Sequence, residues 1–151
     1  NIIVSMIEQA IQRLEFLCNT IPPLLHRLDE TVVSVKPAPT KWSKKEIIGH
    51  LIDSATNNHQ RFIRGQFEDL PLITYNQDDW NTYSYHQGIK TSQLIALWEI
   101  YNRQLIAIIS QIPRGHLSRQ VNTGQMAYSL EFLINDYVDH LEHHLKQLVS
   151  Y

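Results

Sequence analysis

The sequence is short of cysteine, glycine and surplus charge. It has one Cys, five Gly and six Pro, and 13 Lys and Arg stand against 15 Asp and Glu. Each scarcity excludes something. A single Cys closes no internal disulfide and leaves no CxxC pair for a thiolate metal site. So few Gly and Pro argue against a turn-rich all-β protein. A formal charge of −2 gives no general electrostatic reason to hold nucleic acid or an anionic membrane. No apolar run reaches the roughly 18 residues that span a bilayer. The start, Asn1-Ile2-Ile3-Val4-Ser5, lacks the basic segment of a signal peptide and an initiator Met. With one free Cys and no export signal, the expected compartment is the cytoplasm.

What is present is a globular composition, with 43% hydrophobic and 19% charged residues. At 151 residues the chain is expected to form one domain, residues 1–151, with a core that needs no staple. Histidine is the outlier. Eight imidazoles against one thiol make it the leading candidate for any chemistry.

Four long segments carry the three-four rhythm of amphipathic helices. The first runs from about Ile3 to Ile21, where Pro22-Pro23 is expected to stop it. A short helical piece from Pro23 to Leu28 should follow. The second has the clearest start in the chain. Ser43 and Glu46 form a capping box, and Trp42 with Ile47 a hydrophobic staple. It should reach about Gly65. The third runs from Thr91 to Ile112, before Pro113. The fourth starts after Ser129, with Tyr128 and Leu133 as a second staple, and runs to the C-terminus. Four such helices bury one another's apolar faces, so the expected fold is an all-α four-helix bundle. Two connections are long, Phe67–Lys90 and Pro113–Tyr128, and long connections in a compact domain are often functional.

The last helix carries His140-Leu141-Glu142-His143-His144. At 100° per residue, His140 and His144 lie about 40° apart, at the edge of the apolar stripe. An i,i+4 His pair facing inward presents two nitrogens to one metal. The competing interpretation is a polar helix end that happens to be rich in His. Glu142 and His143 should face solvent. The zincin motif is excluded, because no Glu directly follows His140. A carboxylate-bridged di-iron bundle is excluded too, since the chain has no Glu-x-x-His. A third ligand must come from another helix. His59 projects onto the apolar face with Leu51, Ala55 and Phe62. His50 projects onto a polar flank with Ser54, Asn57 and Arg61. Periodicity alone leaves the choice between them open.

Trp42-Ser43-Lys44-Lys45-Glu46-Ile47-Ile48-Gly49-His50-Leu51-Ile52-Asp53-Ser54 resembles the second-helix signature of the DinB/YfiT-like four-helix-bundle family. His140-Leu141-Glu142-His143-His144-Leu145 resembles its last-helix signature. Tyr75-Asn76-Gln77-Asp78-Asp79-Trp80 is similar to a loop of the YfiT-like branch. The resemblance implies an up-down-down-up bundle with a divalent metal, Zn, Ni or Fe, held by His50, His140 and His144. It implies a metal-dependent hydrolase, or a thiol S-transferase using bacillithiol or a similar low-molecular-weight thiol. It also implies a homodimer.

Three neutral imidazoles leave coordination positions open for a water or a thiol, which fits either reaction on a small molecule. Arg61, three turns after His50 and about 20° from it, is a candidate for a substrate carboxylate or phosphate. The competing interpretation is a surface Arg paired with an acid. Asn57 and Asn58 are further candidates for the same cleft. Tyr75 and Asp78 are candidates from the long loop, and Trp80 is expected to pack on the bundle. Cys18 is expected to be a buried apolar filler. The alternative to catalysis is a binding or stress-response bundle in which the metal site is structural or vestigial. No nucleic-acid or membrane partner is expected.

Overall fold

The computed structural model describes residues 5–151. Ile3, placed above in the first helix, lies outside them. Four long helices form the bundle: α1 (Met6–His26), α3 (Lys44–Arg64), α5 (Thr91–Ile109) and α6 (Leu130–Leu148). Two short helices, α2 (Glu30–Ser34) and α4 (Gln77–Ser84), lie in the connections. The strands β1 (Gln120–Asn122) and β2 (Ala127–Ser129) pair antiparallel, with Val121 opposite Tyr128. Among the described residues no helix is long and apolar enough to cross a membrane.

The helix directions follow from where the ends meet. Leu25 and His26 at the end of α1 share one cavity wall with Lys45 at the start of α3 and Thr91 at the start of α5. Lys44 reaches the carbonyl of Leu148 at the end of α6. So α3 and α5 run parallel to each other, and α1 and α6 run against them. The order is up-down-down-up, as the resemblance implies.

The capping signals hold. Ser43 accepts from Glu46 N–H, and the Glu46 side chain accepts from Ser43 N–H, closing the capping box. Ser5 and Glu8 do the same for α1. Ser129 caps α6 by accepting from Phe132 N–H. At that end Tyr128 stacks on Phe132, with ring centroids 4.6 Å apart.

The stop expected at Pro22-Pro23 is wrong. α1 continues through both prolines to His26 and absorbs the short piece assigned to Pro23–Leu28. Proline interrupts a helix partly by stranding the carbonyl four residues back. Here Arg103 of α5 takes up that role, donating from Nη2 to the Cys18 carbonyl at 3.4 Å and to Asn19 Oδ1 at 3.0 Å. Pro22 is buried in the core. The long connections are not bare loops either. The first carries α4 and a 3₁₀ turn, His86–Gly88; the second carries a 3₁₀ turn, Arg114–His116, and the β-hairpin.

The core is built from the inward faces of all four long helices. Leu14, Leu17, Ile21, Ile48, Phe62, Trp98, Leu105, Ile134 and Leu145 are among its fully buried members. Cys18 is buried with them, as expected.

Candidate metal centre and adjoining cleft

The polar flank of α3 faces inward. His50, Asp53, Ser54, Asn57 and Asn58 are all buried. Of the two candidates that periodicity left open, His50 is the one that lies beside the α6 pair. His50 has no exposed surface, and neither of its ring nitrogens has a hydrogen-bond partner. His59 is half-buried, and its Nδ1 lies 2.9 Å from the Tyr101 hydroxyl. It is a satisfied core-edge histidine in contact with α5.

His50 meets the α6 pair. Its ring centroid is 5.4 Å from that of His140 and 4.8 Å from that of His144, edge-on to both. The Nε2 atoms of His140 and His144 are 3.2 Å apart. One nitrogen from each of the three rings lies within 4.8 Å of the other two. Burial pushes the His50 pKa down to about 3, with the neighbouring imidazoles of His144 and His140 adding to the effect. Burial also lowers His140 and His144. All three are therefore neutral near pH 7, with lone pairs available. A buried imidazole with no partner for either nitrogen is costly. A divalent cation answers that cost, and three neutral imidazoles are a suitable donor set for it. The residues fit the group.

Supporting contacts surround the trio. His144 Nδ1 lies 3.1 Å from Gln147 Oε1, an acceptor, so the ring hydrogen sits on Nδ1 and Nε2 points inward. Trp42 covers His50, with centroids 4.8 Å apart. Asp53, one turn after His50 on α3, accepts Nε2–H of His86 with both oxygens, at 3.1 and 3.0 Å. Ser84 donates to the same carboxylate. The His86 ring fills the space over Gly49, where a Cβ would collide with it. Nothing in the sequence pattern pointed to the Asp53–His86 pair, because its partners are 33 residues apart on different elements. Gln147 was detectable, since i,i+3 on a helix brings it beside His144.

His140 opens into a cavity of about 160 Å³ lined by Ser54, Asn58, Arg61, Tyr75, Asp136 and Tyr137. Arg61, Tyr75 and Asp136 also line an adjoining cleft of about 730 Å³ that reaches Gly124 and Tyr128 of the hairpin. Of the candidate substrate residues, Asn58, Arg61 and Tyr75 thus share one wall with His140, and Asn57 lines neither cavity. Arg61 is half-buried, and its Nε and Nη2 both donate to the Ile73 carbonyl, at 3.2 and 3.0 Å. Asn58 donates to the Ser54 carbonyl at 2.9 Å. Tyr75 is half-buried, and burial raises its pKa. Asp78 lies exposed in the first turn of α4, where its N–H donates to Asn76. It lines neither cavity. Trp80 is half-buried against Tyr75, edge-on at 5.9 Å.

Glu142 does not face solvent freely. It is half-buried and takes a two-pronged bond from Arg13, at 2.9 and 2.7 Å, which holds its carboxyl below the usual range. His143 is exposed, as expected.

A family model of the DinB superfamily matches residues 9–148. No curated protein matches the sequence significantly. Among solved structures the chain is similar to YfiT from Bacillus subtilis, described as a probable metal-dependent hydrolase with an unusual four-helix bundle topology. The TM-score is 0.85 and the identity 20%, over 96% of this chain and 85% of that one. It is also similar to a mycothiol-dependent maleylpyruvate isomerase, with a TM-score of 0.78 and 12% identity, over 95% of this chain and 61% of that one. A DinB-like protein from Bacillus subtilis gives a TM-score of 0.65 at 20% identity, over 93% and 86% of the two chains.

Proposed function

The chain belongs to the DinB superfamily, and we propose that it is a metal-dependent hydrolase acting on a small molecule in the cleft beside His140. The observation that carries this reading is His50: a buried imidazole with two unpartnered nitrogens, facing two more imidazoles on α6. His50, His140 and His144 would hold the ion. A divalent cation in such a site supplies Lewis acidity, which polarises a carbonyl and acidifies a water or a thiol.

The chain's own residues supply the rest. Gln147 fixes the tautomer of His144. Trp42 keeps solvent off His50. Asp136, one turn before His140 on α6 and exposed to the cleft, can take up a proton from a group bound there. Ser54, Asn58, Arg61 and Tyr75 form the wall that orients the substrate. That site adjoins a cleft and, among the described residues, has three protein donors rather than four, which favours catalysis over a closed structural ion.

The likeness to the mycothiol-dependent isomerase favours a second reading on the same site, transfer of a low-molecular-weight thiol. The thiol would have to arrive as a co-substrate. The chain's own Cys18 is buried in α1, and burial pushes its pKa up to about 11.

Two measurements test these readings. Protein purified without a His tag should hold close to one equivalent of Zn, Ni or Fe, or take it up on titration. Holoprotein is then offered a panel of esters and amides, and in parallel a thiol-reactive electrophile with bacillithiol-like thiols. Metal-dependent cleavage supports hydrolysis; metal-dependent conjugation supports transfer. Metal binding with neither activity supports a binding protein instead, and no metal uptake at all would sink the metalloenzyme reading.

A further inference from the structure

Arg61 is a half-buried cation without a counter-ion. Arg13, Arg64 and Arg103 pair with Glu142, Glu68 and Glu99 at 2.6 to 2.9 Å. Among the described residues no carboxylate lies within 4 Å of Arg61. Among the described residues its only hydrogen-bond partner is the Ile73 carbonyl. Burial lowers its pKa, and the fields of Tyr75 and Asp136 only partly oppose that. Removing a guanidinium from water is costly unless a negative charge compensates it.

The geometry of the head group is informative. The Nε–Nη2 edge is taken by the carbonyl, which leaves the Nη1–Nη2 end free. That end is one of the two edges through which an arginine grips a carboxylate with paired N–H bonds. Arg61, Tyr75 and Asp136 are also the three residues common to the inner cavity and the outer cleft. The way from the hairpin side to His140 is lined by this cationic side chain and by the exposed carboxylate of Asp136.

We propose that this passage selects a carboxylic acid with an N–H or O–H donor beside the carboxylate, the chemistry of α-hydroxy and α-acylamino acids. The carboxylate sits on the free end of Arg61, and the adjacent donor faces Asp136. The rest of the molecule then points toward His140. The binding itself does not depend on the metal; only the direction of any chemistry rests on the metalloenzyme reading.

The test uses metal-free, chelated protein and matched probes: L-lactate and N-acetyl-L-amino acids, their primary amides, and propionate, which lacks the donor. Affinities come from calorimetric titration or ligand-observed NMR. Acids should bind at least about 10-fold more tightly than their amides, in line with a charge-assisted pair. Arg61→Gln should abolish that preference, and Arg61→Lys should keep part of it. Asp136→Asn should remove the advantage of lactate over propionate and leave acids favoured over amides. A merely structural Arg61 would shift melting temperature without changing the acid-to-amide ratio. Equal binding of acids and amides by the wild type would overturn the proposal. So would an unchanged ratio in folded Arg61→Lys and Arg61→Gln. Zn uptake is measured on the same samples. Acid selectivity without metal uptake overturns the metalloenzyme reading alone, whereas metal uptake without acid selectivity overturns this proposal alone.

Discussion

The Nε2 atoms of His140 and His144 face each other at 3.2 Å, one helical turn apart on α6. Two neutral rings cannot both offer a hydrogen in that gap when Gln147 already fixes the hydrogen of His144 on Nδ1. One ring can donate to the other across that gap, and the same two nitrogens, with His50 closing the remaining side, form the donor set proposed for the metal.

Replacing any one of His50, His140 and His144 with Ala should therefore abolish stoichiometric metal binding, read by elemental analysis after dialysis. His59→Ala should keep the metal and lose only stability, because its partner is the Tyr101 hydroxyl. Gln147→Ala should weaken affinity by roughly 10- to 100-fold, the usual effect of losing a residue that orients a ligand. Equal metal loss in His59→Ala would show that the third ligand is misassigned.

Chelated protein should lose stability in acid. Unfolded, the His50 imidazole takes its proton near its ordinary value of 6.5; folded, it takes it only near pH 3. Between those values the unfolded chain binds more protons, so stability falls as pH drops below about 6.5. Above that range the group contributes nothing to the slope. His140 and His144, also lowered, steepen the loss. Urea melts of chelated His50→Phe between pH 4 and 7 should show a shallower dependence than wild type, and identical slopes would count against a buried neutral His50.

Gly49→Ala should destabilise the protein by about 1–3 kcal/mol, the common cost of overpacking. The added Cβ would fall within the His86 ring. In a double-mutant cycle, Gly49→Ala with His86→Ala should cost clearly less than the sum of the two single changes. Additive costs would mean that the ring does not press on Gly49.

Cys18 should resist thiol reagents. Its pKa of about 11 leaves almost no thiolate at pH 8, and the side chain is buried. Ellman's reagent should titrate about one thiol in denaturant and close to none in the native state. Fast labelling of native protein would contradict the packing of α1.

Much of this was legible in the sequence, and the exceptions share a cause. The capping box at Ser43 and Glu46 and the spacing of His140 and His144 are local rules, and both hold. Pro22-Pro23 misled because the carbonyl of Cys18 is satisfied from α5, by Arg103, 85 residues away. The polar flank of α3 looked equivocal because periodicity cannot say whether polar residues face water or a wet interior. His86 and Asp53 stayed out of sight for the same reason. Their roles exist only once the connection after α3 is laid against that helix.

That connection is the price of putting α3 and α5 side by side and parallel. The chain leaves α3 at its far end and must travel back along the whole helix before α5 can begin. On the way it fastens to that helix and its N-cap at several points: Ile73 to Arg61, Asn81 to the Glu46 carbonyl, His86 to Asp53, Gln87 to Ser43. A hairpin bundle, with each helix turning straight into the next, would need no such return journey and would have no seam of this kind over α3. Here the detour becomes masonry. The same stretch of chain that satisfies the connectivity also walls the histidines on one side, so insertions or deletions between residues 66 and 90 should be felt at the site before they are felt in the bundle.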